Sequence, residues 1–506
     1  MNSEPGLHPL LVLVLAPLAG ALVTLSLAPF DLWPAGILSC ALYAYLLCTC
    51  SLRQALWRSW LFGLGMFGSG VSWVYVSINV YGGAGPVLAT FLIVLFCAGL
   101  SLLFQVSFGW FYVRFVRALP GGMLVGFPVT WVLAEWLRSW LLTGFPWLYL
   151  GYAHIDTPIA GWAPVVGVLG LSFICALTGI CLFLAWRSRQ AIACTTYAVI
   201  VITLWAGGAV LKPMEWVVKA SEQPLQVVIY QPNVPQEHKW DPAWYRPILR
   251  QLREASEPHY GADILVWPEA AVPNYYQRAR GFLDPIDRRA ASNETTLFVG
   301  APFLGEEAGS YHNSVIALGQ GQGVYHKQRL VPFGEYVPLE GLLRGLIAFF
   351  DLPMSAFSSG PDDQPPLRAG PYRVAPFICY EVVYPELVAR AARHADVLLT
   401  ISNDSWFGRS IGPLQHLQIA RMRALENGRY MIRGTNNGVS ALIDHRGQVV
   451  VRTEQFVETT LSGEVEVMLG NTPFTSFGVV PVVVGCMLTL LLMWLMYLGF
   501  WREEEA

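Results

Sequence analysis

From its N-terminus the chain is a succession of long apolar runs broken by short polar ones. The runs extend roughly from 9 to 28, 34 to 50, 58 to 79, 86 to 113, 122 to 143, 164 to 186 and 190 to 211. Each is near the roughly 20 residues that a helix needs to cross the hydrocarbon layer of a bilayer. An eighth, from Gly478 to Trp501, holds no charge before Arg502 and the closing Glu503, Glu504 and Glu505. One such run can be a helix buried in a soluble protein, but eight of them predict a polytopic α-helical membrane bundle. Met1 to Pro9 lacks the basic opening of a cleaved signal peptide, and further spans follow at once.

The pattern changes after Lys212. Residues 213–472 mix Asp, Glu and Arg with short apolar runs, enough chain for one sizeable core. Continuous runs, most of them β-branched, predict strands over Leu225 to Gln231, Asp263 to Trp267, Thr296 to Pro302, Ser314 to Leu318, Val374 to Cys379, Val397 to Ser402 and Val439 to Ile443. Helices are predicted over Trp244 to Ser256, Tyr384 to Ala395 and Leu414 to Glu426. Such alternation predicts a layered α/β domain with strands covered on both faces. The expected organisation is therefore a seven-span bundle over 1–212, a folded domain over 213–472, and an eighth span with a short tail over 473–506. Gly341 to Phe357 breaks the pattern, being rich in Leu, Ile, Phe and Met with only Arg344 and Asp351 charged. It reads either as core or as a lid or arm that touches lipid.

Composition agrees with a membrane class: of 506 residues 54% are hydrophobic and only 13% charged. Charge placement adds an orientation, because short cytoplasmic loops collect Lys and Arg. Arg53 and Arg58 precede or open the third span, Arg114 and Arg117 lie between the fourth and fifth, and Arg187 and Arg189 between the sixth and seventh. With those loops inside, both termini are cytoplasmic and the folded domain is extracytoplasmic. Eight of the nine cysteines lie in the spans, which leaves Cys379 alone in an oxidising compartment with no partner for a disulfide inside the domain. Glu135 and Arg138, spaced i, i+3 within the fifth span, can neutralise each other there. That pair reads as a brace for the bundle or, alternatively, as a mark on a transport path. A net charge of -3 gives no reason to expect a nucleic-acid partner.

Three predicted strand ends carry reactive side chains: Glu269 after Val266-Trp267-Pro268, Lys327 after Tyr325-His326, and Cys379 after Phe377-Ile378. Alone, each is a weak signal, since a single Cys is commonly a small buried hydrophobe and a Glu after Pro often caps a helix. Lys327 is sharper, being the last of four lysines in a stretch where every other basic side chain is Arg. Together they meet the needs of acyl transfer. A thiol requires a base to become a nucleophile, a carboxylate in an apolar site is such a base, and an ammonium stabilises an oxyanion. Gly319, Gly321 and Gly323 are followed by Val324-Tyr325-His326, not by a helix, so they read as a turn rather than a nucleotide loop. No His-Glu-x-x-His, Cys-x-x-Cys or Gly-x-Ser-x-Gly is present, so neither a metal nor a serine nucleophile is expected, and no cofactor is called for. The histidines are scattered.

These residues resemble the Glu-Lys-Cys triad of the nitrilase superfamily. The likeness narrows with the spans and with Gln231-Pro232-Asn233, Lys239-Trp240-Asp241, the run Lys327 to Glu335, Cys379-Tyr380-Glu381 and Asn403-Asp404-Ser405-Trp406-Phe407. Over essentially the whole chain the sequence resembles the apolipoprotein N-acyltransferases of bacterial inner membranes. That resemblance implies a nitrilase-like α-β-β-α sandwich in the periplasm and a ping-pong reaction. Cys379 would take an acyl chain from a phospholipid, phosphatidylethanolamine being the expected donor. The acceptor would be the α-amino group of the N-terminal diacylglyceryl-cysteine of an apolipoprotein. Glu269 would be the general base and Lys327 the support for the oxyanion, with Glu335, Tyr380, Glu381 and Trp240 around them and Glu335 pairing with Lys327. Leu342, Leu343, Phe349, Trp406 and Phe407 are candidates for the walls of a lipid portal. Two rival readings stay open: a membrane-tethered amidase or nitrile hydrolase using the same triad with water, and a transporter or receptor whose outer domain only binds ligand.

Overall fold

The computed structural model describes residues 7–504 except 308, 333 and 337–356, so Leu342, Leu343, Phe349 and nearly all of the apolar 341–357 stretch lie outside the described residues. The chain divides into two compact units. One holds the residues up to Trp73, Val87–Met214 and those from Phe477; the other holds Val74–Pro86 and Glu215–Ser476. The segment 74–86 thus groups with the folded domain, where the sequence pattern put it at the junction of two spans.

The first unit is helical. Among the described residues five helices are long and apolar enough to cross a membrane: Pro9–Ser26, Pro86–Val116, Pro158–Ser188, Ala191–Leu211 and Val480–Gly499. Leu52–Gly70 is followed across a break by Val74–Tyr81, which makes a sixth candidate if the two are one span. The other two expected spans come out short. Trp33–Leu47 has 15 residues, and the run from Gly122 stops being helical at Arg138, with Leu142 and Thr143 both at positive φ. The apolar sides of these helices are bare within the chain; Ile192, for example, is 84% exposed and Val87 87% exposed. Such a surface belongs against lipid rather than water.

Helices Pro9–Ser26 and Leu52–Gly70 approach so closely that a Cβ on Gly65 would lie 1.9 Å from the Pro17 carbonyl oxygen, the small-residue contact that membrane helices favour. Arg58 donates to the Leu46 carbonyl at 2.6 Å, and Arg117 to those of Leu47 and Cys50 at 2.8 Å. These guanidinium groups close the open carbonyl end of helix Trp33–Leu47. Two of the arginine-bearing loops therefore lie at the same end of this unit. Glu135 and Arg138 do not meet as an ion pair. Glu135 Oε1 accepts from Trp131 Nε1 at 2.9 Å and from the Leu150 N–H at 3.0 Å, while Arg138 donates to the Leu148 carbonyl at 3.3 Å. Both hold the 148–150 turn, which is the work of a brace.

In the second unit the strands, in chain order, are β1 (Val218–Lys219), β2 (Leu225–Gln231), β3 (Ile264–Val266), β4 (Thr296–Leu304), β5 (Tyr311–Gly319), β6 (Gly321–Gln322), β7 (Val324–His326), β8 (Leu367–Ala369), β9 (Tyr372–Ile378), β10 (Val397–Ser402), β11 (Met431–Thr435), β12 (Ala441–Ile443), β13 (Val449–Arg452), β14 (Thr459–Val465) and β15 (Met468–Leu469). β1 and β15 form a small antiparallel ribbon. One sheet has the order β14-β2-β3-β4-β5-β7 and the other β13-β12-β11-β10-β9-β8-β6. In each, three parallel strands, β2-β3-β4 and β9-β10-β11, are flanked by antiparallel ones.

Alternation along the strands makes the layers. Val227 and Ile229 face a core shared with Ile378, Leu399, Ile401 and Ile432 of the other sheet. Val228 and Tyr230 face the opposite way, toward Leu252 of helix Pro242–Ser256 and Leu283 of helix Tyr276–Ser292. Helices Pro385–Ala392 and Gly412–Asn427 pack against β9 and β11. The result is a four-layer α-β-β-α sandwich. Gly319, at φ +70°, and Gly323, at φ +106°, make the two reversals between β5, β6 and β7. The glycine run is thus a turn that delivers Lys327.

Candidate active site

Side chains at the ends of parallel strands point out of the sheet edge, where ligands of α/β sheets bind. Glu269 follows β3, Cys379 follows β9 and Asn403 follows β10. Glu269 is buried, and its backbone is fixed by neighbours that leave no slack: a Cβ on Gly300 would lie 2.2 Å from the Pro268 carbonyl oxygen and 2.8 Å from the Glu269 Cα. Its Oε1 accepts from Asn313 Nδ2 at 2.7 Å and its Oε2 from the Asn403 N–H at 2.7 Å. Lys239 Nζ, also buried, donates to the Glu269 carbonyl at 3.1 Å. Burial raises the pKa of this carboxyl, Glu335 adds to the rise, and Lys327, Asn313 and Lys239 pull it back. A carboxylate so placed is a stronger base than one in water.

Lys327 is 1% exposed. Its Nζ lies 2.8 Å from Glu335 Oε1 and 3.7 Å from Glu269 Oε1. Burial alone would lower its pKa, but Glu335 and Glu269 more than reverse that, so the ammonium is held charged. Glu335 is fixed in turn by Asn313 Nδ2 at 3.1 Å and by the Val331 N–H at 2.8 Å. Asn313, on β5, thus donates to both carboxylates that flank the cation. Lys239 faces the same cluster with its pKa brought down to about 8, burial outweighing the nearby Glu269.

Cys379 opens a short 3-10 turn, Cys379–Val383, directly after β9, and it does so at φ +53°. A left-handed conformation is costly for a residue with a side chain, and it occurs where the surroundings over-determine it. Glu381 is one such constraint. Fully buried, it accepts from the Ile378 N–H at 2.8 Å, Tyr325 Oη at 2.9 Å, the Gln328 N–H at 2.6 Å and the Arg329 N–H at 3.2 Å. It ties the turn that carries Cys379 to the loop that carries Lys327. Burial brings its carboxyl up to about 7 against those backbone donors. The Cys379 thiol is raised well above its ordinary value, first by burial and then by Glu269, while Lys327 opposes the rise. At rest the sulfur is held as a thiol, under the opposing influence of the Glu269 and Lys327 charges.

The remaining candidates divide. Tyr380 is buried with its ring edge-on to Tyr384 at 5.4 Å. Trp240 ends the short helix Gln236–Lys239, and its buried Nε1 has no hydrogen-bond partner among the described residues. Trp406 and Phe407 are partly exposed. Trp406 packs edge-on against Tyr81 at 5.5 Å and accepts at its carbonyl from Ser77 Oγ at 2.7 Å. Among the described residues no group of three or more His, Cys, Asp or Glu is placed to hold a metal ion. Asn313 is in no motif read from the sequence, and Lys239 and Asn403 stand there only as members of motifs, with no role assigned to either. The lysine carries the further signal of being one of four in the chain, adjoining Trp240.

Comparison with known proteins matches both parts of the chain. Residues 19–181 match the apolipoprotein N-acyltransferase N-terminal domain, and residues 218–473 match the carbon-nitrogen hydrolase family. A protein of Pseudomonas putida named apolipoprotein N-acyltransferase is 47% identical over 96% of this chain and 96% of its own length. One of the same name from Pseudomonas aeruginosa is 47% identical over 97% of each chain, and one from Vibrio parahaemolyticus 39% identical over 95% of this chain and 96% of its own. Both halves of the chain, the apolar helices and the α-β-β-α domain, are therefore accounted for by one kind of protein, and the chain belongs to the apolipoprotein N-acyltransferase family.

Proposed function

We propose that this acyltransferase moves a fatty chain from a phospholipid to the N-terminal amine of a diacylglyceryl-cysteine peptide by way of a thioester on Cys379. The observation that carries this reading is a partly buried thiol that feels the charges of a paired carboxylate and ammonium, the three groups each following the end of a different strand. In the first half Cys379 Sγ attacks the ester carbonyl carbon while Glu269 takes the thiol proton. The lysophospholipid alkoxide leaves and recovers that proton from Glu269. In the second half the peptide amine attacks the thioester carbon, Glu269 takes its proton, and the departing Cys379 thiolate takes that proton back from Glu269. In both tetrahedral states Lys327 faces the negative oxygen and Glu335 keeps Lys327 charged.

Both reactants are lipid-anchored. Moving an acyl chain into water costs about 0.8 kcal/mol per methylene, so apolar helices on the same chain keep catalyst and substrates in one membrane. On this reading eight spans carry the domain on the periplasmic side, phosphatidylethanolamine is the donor, and Leu342, Leu343, Phe349, Trp406 and Phe407 line the way in for lipid. The test is intact mass spectrometry of the purified protein after incubation with phospholipid. The expected result is an acyl adduct on the peptide containing Cys379 that hydroxylamine removes and that Cys379→Ala abolishes. Release of free fatty acid without acylated peptide would point instead to a hydrolase. Full activity in Cys379→Ala would overturn the thioester.

A further inference from the structure

Glu381 holds the chain on the N-terminal side of Cys379. The carbonyl of Cys379 is held from the other side, by a buried polar group that the reaction as written does not use. His416, on helix Gly412–Asn427, is fully buried with its Nε2 3.1 Å from the Cys379 carbonyl oxygen. Its Nδ1 lies 3.2 Å from an Arg433 Nη and 3.3 Å from Asp404 Oδ1. Arg433 in turn donates to Asp404 Oδ2 at 2.8 Å, and Ser402 Oγ lies 3.0 Å from Asp404 Oδ1.

Donor and acceptor chemistry fixes the state of the ring. A carbonyl oxygen only accepts, so Nε2 carries the hydrogen. Nδ1 faces a guanidinium nitrogen, which only donates, and Asp404 Oδ1, which only accepts; the shorter contact is the one to Arg433, so Nδ1 offers its lone pair. Asp404 then needs no imidazolium, because Arg433 already balances its charge. Burial and Arg433 lower the pKa of His416 by more than Asp404 and the Cys379 carbonyl raise it, in keeping with a neutral ring.

We propose that His416 is a positioning residue for the nucleophile: its Nε2–H holds the Cys379 carbonyl so that the left-handed backbone at that residue persists and the sulfur stays aimed at the acyl group, with Arg433 selecting the tautomer. The inference rests on Cys379 being the nucleophile. A residue at φ +53° has no preference of its own for that conformation. Without the bond to its carbonyl the peptide is free to relax toward extended backbone, and a small rotation there carries the sulfur away from Glu269.

The test uses the full chain in detergent with phospholipid and follows acylation of Cys379 by rapid quench and intact mass. In His416→Gln the side-chain amide supplies the same pair of groups, a carbonyl for Arg433 and an N–H for Cys379. In His416→Met the volume is kept and both are lost. Acylation in the Gln variant is expected within about threefold of wild type, and in the Met variant about tenfold to a hundredfold slower, with the KM for phospholipid unchanged. Wild-type acylation by His416→Met overturns the proposal, as does an equal fall in the two variants while both keep the wild-type melting temperature. Should His416→Met not fold, 15N shifts of the wild-type imidazole decide: a hydrogen on Nε2 supports the role, and one on Nδ1 refutes it. Absence of any adduct in wild type would instead remove the nucleophile assignment itself, a different result from an adduct that forms without regard to His416.

Discussion

Asn313 offers a sharp test of how the site sets its base. Its amide donates at 2.7 Å to Glu269 and at 3.1 Å to Glu335, and Asn313→Ala removes both bonds. A hydrogen bond to a charged group contributes about 1.5–3 kcal/mol, and about 1.4 kcal/mol corresponds to one pKa unit. Loss of the bond to Glu269 therefore raises an already raised carboxyl by about one to two units. Stability falls by less than the two bonds suggest, by about 1–3 kcal/mol, because Asn313 Oδ1 is buried without a partner among the described residues and leaves with the side chain. The sign with pH follows from the direction of the shift. The folded-state pKa of Glu269 lies above its unfolded value, so the stability linked to it is complete below the unfolded value of about 4.3 and is lost as pH rises through the folded one. Asn313→Ala extends that loss, so the part of its deficit due to Glu269 is small below the unfolded value and grows as pH rises through the folded one. The assay is a pH profile of kcat/KM for acyl transfer to a diacylglyceryl peptide, paired with thermal unfolding at both ends of the range. The acid limb is expected to move up by about one to two pH units, with less than about a tenfold change on the alkaline plateau. A folded Asn313→Ala protein with the wild-type acid limb would show that Asn313 does not govern the base.

Three further outcomes follow from the same contacts. Glu381→Gln turns an NH2 toward the Ile378 N–H, which now donates to Glu381 Oε2, so melting is expected to fall by the equivalent of about 1–3 kcal/mol, and an unchanged melting point contradicts the tie between the two loops. Gly300→Ala drives a Cβ to 2.2 Å from the Pro268 carbonyl oxygen, so the backbone carrying Glu269 must move. Turnover is expected to drop about a hundredfold with binding of phospholipid retained, and wild-type turnover would refute the fit. Lys239→Met removes a buried ammonium with a pKa of about 8. In wild type the unfolded chain binds more protons than the folded one between that value and about 10.4, so stability rises with pH there, and the Met variant is expected to lose that rise in melting temperature while its acid limb moves up.

How much of this was legible depended on whether the cause was local. β2 and β10 carry the continuous apolar runs 227–230 and 397–399 with no charged residue and stood out in the sequence, as did Pro242–Ser256 by its helical spacing. β11 was missed because Arg433 and Gly434 sit in an inner strand. The arginine is tolerated there only because Asp404, 29 residues away, meets it at 2.8 Å. Helix Tyr276–Ser292 was missed because Gly281 and Pro285 lie inside it. In the bundle, hydropathy located each run, but Leu142 and Thr143 at positive φ ended the fifth one early, which no apolar count reveals. Glu269, Lys327 and Cys379 were visible as rare reactive groups at strand ends. Asn313 was not, because it matters only through the register that sets it opposite Pro302 on β4, beyond which the Glu269 loop lies.

Burial of so much charge has a consequence for the order of events. Glu269 and Glu335 carry two negative charges and Lys327 and Lys239 two positive ones, so the cluster is neutral before the sulfur ionises. A thiolate would add one uncompensated charge in a medium of low polarity, and the thiol pKa is raised accordingly. The same argument reverses when an ester or thioester carbonyl arrives. In the mechanism proposed above, proton transfer to Glu269 accompanies bond formation at sulfur, the negative charge moves to the carbonyl oxygen, and Lys327, freed of one carboxylate partner, is available to meet it. That mechanism predicts a Cys379 that is quiet toward water-borne electrophiles and oxidants and reactive toward a positioned acyl group. Alkylation of Cys379 by iodoacetamide at pH 7 should therefore be much slower than that of a free exposed cysteine, whereas its acylation by phospholipid proceeds at the same pH. Rapid alkylation at that pH would mean that a thiolate already exists at rest, and that the balance of charges described for the site is wrong.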